Sequence, residues 1–220
     1  DNGVTIRSFP ALHAFDGAVS FSLEWNGLKF VFSSDTYPTK WFLEYGKNAD
    51  VVIHECFVAV PQLVSKMKFT PEQALLVGTQ VHTAPEAFGK VMSAVKPRMA
   101  VAYHFFKDYD TTASVYERIR TTYDGPLSLA EDFMVWNVTK DDIVVRMGMF
   151  EESTWAPPLA SPAELPNDQD RIDMAKRLGV ESLEFSDFTN SGFWDVDDAL
   201  RPIFEEASET LGRDFPYPGD

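Results

Sequence analysis

A hairpin pattern near the start of the chain limits the folds open to it most strongly. Residues 18–25 alternate apolar and polar side chains, which is typical of a β-strand with two distinct faces. The apolar face holds Val19, Phe21, Leu23 and Trp25. Asn26-Gly27 follows, which is the preferred two-residue hairpin turn, and residues 28–33 form the returning strand. The sequence therefore predicts antiparallel pairing within the first 33 residues.

Further along the chain, short buried strands alternate with helical patterns. Residues 51–53 and Met99–Tyr103 are continuous apolar runs, which are typical of strands buried on both faces. Helical patterns lie at 40–47, 71–79, 85–95 and 111–122. Other strands are predicted at 4–9, 133–138 and 143–147. This mixture predicts the α/β class, with mixed sheets covered by helices.

The composition changes near residue 150. Residues 151–220 carry 17 acidic and 5 basic side chains, a net charge of −12, whereas residues 1–150 have a net charge of −3. We therefore expect a main region at 1–150 and an acidic extension at 151–220. Four prolines predict a linker at 151–168, followed by helices at 168–178 and 197–211. The second helix has an apolar face, so the extension is interpreted either as a cap or as a homodimerisation arm.

Composition also excludes several classes of protein. The net charge of −15 opposes binding to a phosphate backbone, so no nucleic-acid partner is expected. The single cysteine, Cys56, excludes an internal disulfide framework and a cysteine-rich zinc module. No apolar run reaches about 18 residues, so no membrane span is expected. No leader pattern is visible, and cytoplasmic and periplasmic locations both stay open.

All four histidines lie where predicted strands or loops end. They are His13, His54, His82 and His104, and Asp35 follows another predicted strand. Because the carboxyl ends of strands converge in open α/β sheets, these side chains are candidates for one site. Imidazole and carboxylate are zinc ligands, and catalytic zinc needs about three of them. The alternative is that each histidine is a structural residue.

Five ordered motifs resemble the second half of a metallo-β-lactamase-fold hydrolase, closest in pattern to the ribonuclease Z-like branch. The match covers about residues 5–147, and its first motif is the run from Phe9 to His13. The other motifs read Ser33-Ser34-Asp35-Thr36, Asp50-Val51-Val52-Ile53-His54-Glu55-Cys56-Phe57, His82-Thr83-Ala84 and Ala102-Tyr103-His104-Phe105-Phe106. The resemblance implies the C-terminal part of that αββα fold.

The resemblance also implies residue roles. His13, Asp35 and His104 would bind zinc. His82 would donate a proton to the leaving group, with Glu55 orienting it. His54 would help to orient the metal ligands.

One departure from this pattern is large. The family motif HxHxDH, which lies upstream of the position of His13, is absent from these 220 residues. Three explanations stay open: a chain that is part of a longer protein, an altered site with one metal, or a metal-free relative.

The substrate class is predicted from aromatic residues that flank the motifs. They are Phe15, Tyr37, Trp41, Phe57, Phe105 and Phe106. Such a set favours a small, apolar aromatic substrate, although each ring is equally typical of core packing. The chain resembles the chlorothalonil hydrolytic dehalogenases most, which implies replacement of an aromatic chloride by hydroxide. A small-molecule phosphodiesterase or lactonase, and a non-catalytic relative with a decayed site, are the alternatives.

Overall fold

The computed structural model describes residues 2–14, 17–148, 192 and 194–218. The predicted linker at 151–168, the predicted helix at 168–178 and Phe15 lie outside these described residues. The strands are β1 (Thr5–Pro10), β2 (Val19–Trp25), β3 (Leu28–Phe32), β4 (Val51–Glu55), β5 (Met99–Tyr103), β6 (Leu127–Leu129), β7 (Met134–Val138) and β8 (Ile143–Met147). The helices are α1 (Lys40–Gly46), α2 (Val60–Met67), α3 (Pro71–Leu76), α4 (Pro85–Val95), α5 (Tyr109–Arg120) and α6 (Asp197–Leu211).

Strands β1 to β6 form one mixed sheet in sequence order, and β7 pairs with β8 in a separate hairpin. Strands β1, β2 and β3 pair antiparallel, whereas β3, β4, β5 and β6 pair parallel. The turn between β2 and β3 places Asn26 and Gly27 at φ of 52° and 73°, as a two-residue hairpin turn of this type requires. The predicted α/β class, with a mixed sheet covered by helices, is confirmed.

The two strands predicted as buried lie at the centre of the sheet. Val52 on β4 and Ala100 on β5 have no exposed surface, because helices cover one face and neighbouring strands flank both edges. Strand β5 has the predicted bounds, and so do α4 and α6. Strand β4 continues two residues beyond the prediction, to Glu55.

The predicted helix at 71–79 is wrong in its second half. Helix α3 ends at Leu76, and Val77–Val81 forms a π-helical segment. The Thr79 hydroxyl donates to the Leu75 carbonyl at 2.7 Å, which takes an acceptor that a continued α-helix uses for the main chain. Sequence analysis also missed α2, although Pro61 in its first turn is a helix-start signal.

On strand β2 the polar face, and not the apolar face, packs against the helices. Ser20 pairs with Phe9 and Ser22 with Val31, so both serines lie on the face that packs against the helices. Phe21 lies on the other face and is 41% exposed. Alternation predicted the two faces, but it could not predict which one the helices cover.

Two apolar clusters form the core. One lies between the sheet and helices α1, α4 and α5, and it contains Phe42, Phe88 and Ile119. The other contains residues of α2, α3 and α6 together with residues from loops at the carboxyl ends of the strands. We call the second one the loop cluster. Among the described residues, no helix is long and apolar enough to cross a membrane.

Helix α6 of the extension packs against α2, α3 and α4. Its apolar face is buried as predicted at Leu200, Ile203, Phe204 and Ala207. Arg118 on α5 donates to Glu86 at 2.8 Å and to Glu206 on α6 at 2.6 Å, which ties the helix to the main region. These contacts place residues 194–218 on the main region, and the homodimer stays a prediction.

Candidate functional site

The candidate site lies at the carboxyl ends of four strands. Strands β1 and β3 are both antiparallel to β2, so they run in the same direction, and β4 and β5 are parallel to β3. The loops after β1, β3 and β5 carry His13, Asp35 and His104, and Glu55 is the last residue of β4. The topology therefore brings residues that are far apart in sequence to one edge of the sheet, as predicted.

His13, Asp35 and His82 form a group that could hold a metal ion. Each offers one ligand atom, and these atoms lie within 4.8 Å of one another. Two imidazoles and a carboxylate are the donor set that zinc takes in catalytic sites with an open position. The residues present therefore fit a zinc ion by the chemistry of their donors.

His104 lies beside this group. Its Nε2 atom is 3.5 Å from Oδ2 of Asp35, and its ring centroid is 5.1 Å from that of His82. The backbone of His104 has φ of 77°, a left-handed conformation that is uncommon for residues other than glycine. Because β5 ends at Tyr103, this conformation occurs at the first residue after the strand.

Glu55 fixes the orientation of the His82 ring through a contact to Nδ1. Its Oε1 atom is 2.9 Å from Nδ1 of His82 and accepts from the Thr36 N–H at 2.6 Å. Its Oε2 atom accepts from the Thr83 N–H at 3.2 Å. The Nδ1 atom of His82 is thereby committed, so Nε2 is the atom left to meet a metal or a substrate. The predicted orienting contact between Glu55 and His82 is present.

Burial sets the protonation of these groups. It raises the pKa of Glu55 well above its ordinary value, and the backbone donors at Thr36 and Thr83 oppose that shift. It lowers the pKa of His82 to about 4, with the charge of Asp35 acting in the opposite direction. The pKa of His13 is lowered by burial and by His82. His13 and His82 are therefore neutral at pH 7, which is the form that binds metal.

Phe57 forms an apolar wall of the site. Its ring stacks on His82 at a centroid distance of 4.2 Å and an interplanar angle of 14°. The same ring is 5.5 Å from the ring of His104. Among the predicted aromatic residues, Phe57 therefore lies directly against the histidines.

The other predicted aromatic residues take different positions. Tyr37 is buried in the loop cluster, and burial with the carboxylates of Asp197 and Asp195 raises its pKa. Trp41 and Phe105 are partly buried and pack against both apolar clusters. These positions agree with the core-packing interpretation of those three rings.

The structure does not bring His54 to the site. Side chains on a strand alternate between faces, so His54 points away from its neighbour Glu55. Its ring packs edge-on against Phe42 at 4.5 Å and Phe88 at 5.9 Å, within the helix-covered core. The Nδ1 atom is 2.6 Å from the Glu55 carbonyl oxygen. The ring of His54 therefore lies in the core, and its supporting role in the site stays a prediction.

Sequence analysis missed the groups that hold Glu55. Besides Thr36 and Thr83, the Ser33 hydroxyl accepts from the Glu55 N–H at 2.8 Å. The Thr83 hydroxyl donates to the Thr36 carbonyl at 2.6 Å, which joins the two loops. Ser33 and Thr36 lie in the motif of Asp35 and Thr83 follows His82, but nothing in their residue types indicated that they contact Glu55.

Comparison with solved structures found proteins of the metallo-β-lactamase fold. The fold protein YhfI from Bacillus subtilis matches 60% of this chain and 48% of its own, with 17% identity and a TM-score of 0.47. The short form of human tRNase Z matches 61% of this chain and 42% of its own, with 20% identity and a TM-score of 0.41. A diphosphatase from the PhnP family matches at 12% identity over 60% of this chain and 42% of its own, with a TM-score of 0.36.

The chain spans half or less of the length of these proteins. No protein-family model matches the chain, and no curated protein matches it either.

Proposed function

We propose that this chain forms part of a zinc-dependent hydrolase of the metallo-β-lactamase type. The observation that carries the proposal is the convergence of His13, Asp35 and His82 within 4.8 Å, with His104 beside Asp35. When bound there, zinc supplies the Lewis acidity that makes water a nucleophile at neutral pH. The neutral imidazoles and the partly exposed carboxylate of Asp35 are suited to hold it.

The residues of the chain supply two further parts of the reaction. Glu55 fixes the ring of His82 through Nδ1; where His13, Asp35 and His104 hold the zinc, the unprotonated Nε2 of His82 would take the proton of the attacking water and pass it to a leaving group. Phe57 excludes water from one side of His82.

For the substrate we propose a small, apolar aromatic compound, with hydrolytic dehalogenation of a chlorinated ring such as chlorothalonil as the reaction. The position of Phe57 against the histidines supports this choice, because it makes one side of the site apolar. A homodimer without a nucleic-acid or membrane partner belongs to the same proposal.

A second candidate is a small-molecule phosphodiesterase or lactonase. The contact between Glu55 and His82 favours it, because an alkoxide leaving group needs a proton and chloride does not. The two candidates therefore differ in how strongly they depend on His82.

The first test measures Zn²⁺ binding by the purified chain and by two histidine variants. We expect His104→Ala to weaken binding, whereas His54→Asn should bind like the wild type because His54 lies on the other face of the sheet. A wild type that binds no Zn²⁺, or equal binding by all three proteins, would contradict the proposed metal site.

The second test compares chloride release from a chlorinated aromatic nitrile with turnover of a phosphodiester and a lactone. Chloride release that persists in His82→Ala supports dehalogenation. Turnover of the phosphodiester or lactone alone, lost in a His82→Ala variant that still binds Zn²⁺, supports the second candidate. No turnover of any substrate by a zinc-loaded chain would favour the non-catalytic alternative.

A further inference from the structure

The acidic extension shares an apolar cluster with the loops that carry the candidate ligands. Val196, Leu200, Ile203, Phe204, Phe215 and Tyr217 of the extension belong to the loop cluster. The same cluster contains one neighbour of each ligand: Leu12 beside His13, Tyr37 near Asp35, Ala84 near His82, and Phe106 near His104. One apolar unit therefore joins the extension to all four loops.

Polar contacts also join residues of the extension to the loop after β3. The Trp194 N–H donates to the Pro38 carbonyl at 3.3 Å, three residues after Asp35. The hydroxyl of Tyr217 donates to Oδ1 of Asp197 at 2.8 Å. Asp197 in turn lies near enough to the Tyr37 hydroxyl to act on it electrostatically.

The loops contacted in this way are also joined to each other. The Leu12 N–H donates to the Thr36 hydroxyl at 2.9 Å, and the Tyr37 N–H donates to the Leu12 carbonyl at 2.7 Å. The Thr36 N–H then reaches Glu55. Movement of Leu12 or Tyr37 would therefore displace His13 and Asp35 and loosen the hydrogen bond to Glu55.

We propose that residues 194–218 position the loops that carry the candidate ligands, and that Val196, which shares the loop cluster with Leu12 and Tyr37, is a positioning residue for His13 and Asp35. The effect on metal affinity rests on the proposed function, whereas the effect on loop order does not. Ligand orientation by surrounding groups changes metal affinity by about 10–100-fold in other metal sites.

The chain offers a matched pair of variants for a test. Val196 and Val95 are both fully buried valines, at 0% and 1% exposure. Val95 ends α4, and its carbonyl accepts from the Asn48 N–H before β4, at the opposite end of the sheet from the site. Val196→Ala and Val95→Ala therefore remove the same two methyl groups near the site and far from it.

Two measurements are made on the full chain. We expect Val196→Ala to weaken Zn²⁺ binding about tenfold in competition with a chromophoric chelator. In metal-free protein we expect hydrogen exchange at Leu12, Thr36 and Tyr37 to be about tenfold faster in Val196→Ala. Val95→Ala should match the wild type in both measurements, even where urea unfolding shows equal destabilisation.

Faster exchange at these amides without Zn²⁺ binding by any variant supports the positioning role and refutes the zinc proposal alone. Equal exchange in the two variants refutes the positioning role, whether or not zinc binds. Equal loss of Zn²⁺ affinity in both variants refutes it as well, because a general loss of stability would then explain the effect.

Discussion

The buried histidine His54 makes the free energy of unfolding of this chain depend on pH. Its ring has no exposed surface and lies between Phe42 and Phe88. Burial lowers its pKa from 6.5 to about 4, while the hydrogen bond to the Glu55 carbonyl acts in the opposite direction. The folded protein therefore keeps His54 neutral at pH values where the unfolded chain has already protonated it.

The direction and size of the effect follow from this difference in pKa. Between pH 6.5 and about 4 the unfolded chain binds one more proton at this position than the folded chain. The free energy of unfolding therefore falls as the pH falls through this window, by about 1.4 kcal/mol per pH unit at most. The full loss from His54 is about 3 kcal/mol, and it is complete below pH 4.

The assay is urea unfolding followed by tryptophan fluorescence, in half-unit pH steps from 7 to 4, with a chelator present. His54→Asn is the comparison, because its amide retains a donor for the Glu55 carbonyl and cannot be protonated in this range. We expect the variant to be less stable at pH 7, because the core loses ring volume. We also expect the difference between the two proteins to narrow by about 3 kcal/mol by pH 4.

Parallel stability curves for the two proteins over that window would refute the reasoning. His82 also has a lowered pKa, but it is present in both proteins and so cancels in the comparison.

Three further predictions concern the site loops and the sheet. Glu55→Gln replaces the carboxyl group that holds Nδ1 of His82, and we expect Zn²⁺ affinity measured by chelator competition to fall about 10–100-fold. Ser34→Gly should raise the free energy of urea unfolding by about 0.5–1 kcal/mol, because Ser34 has φ of 56°; a decrease would show that its side chain matters more. Ile6→Thr should change stability by less than about 0.5 kcal/mol and raise solubility, because Ile6 is 62% exposed on the edge strand; a large loss of stability would show that this face is covered in solution.

The sequence predicted the fold class and most element bounds because the local patterns were strong. The turn at Asn26-Gly27, the run at Met99–Tyr103 and the apolar face of α6 each predicted the local element that the structure contains. The π-helical segment at Val77–Val81 could not be predicted in this way. In this segment the hydroxyl of Thr79 donates to the Leu75 carbonyl, and a Cβ at Gly78 would lie 3.2 Å from Cδ1 of Leu63; residue types alone predict neither contact.

In the candidate site, the motifs indicated which residues take part, but strand geometry decided which face each side chain occupies. His54 and Glu55 are adjacent within one motif, and the motif alone assigned both to the site. Strand alternation sends them to opposite faces, so that Glu55 holds His82 while His54 packs in the core. The backbone donors at Thr36 and Thr83 were missed, because a main-chain contact leaves no residue-type signal in a sequence.

The two sides of the candidate site differ in exposure, and this difference limits where a substrate can approach. The side chain of Glu55 is fully buried, and its contacts to His82, Thr36 and Thr83 are completed within this chain. The side chains of Asp35 and His104 are 41% and 36% exposed. Because the buried side is already filled by hydrogen bonds, a substrate, or any further ligand to the metal, must approach from the side of Asp35 and His104. Substitutions on that side should therefore alter substrate selection, whereas those around Glu55 should act through the orientation of His82.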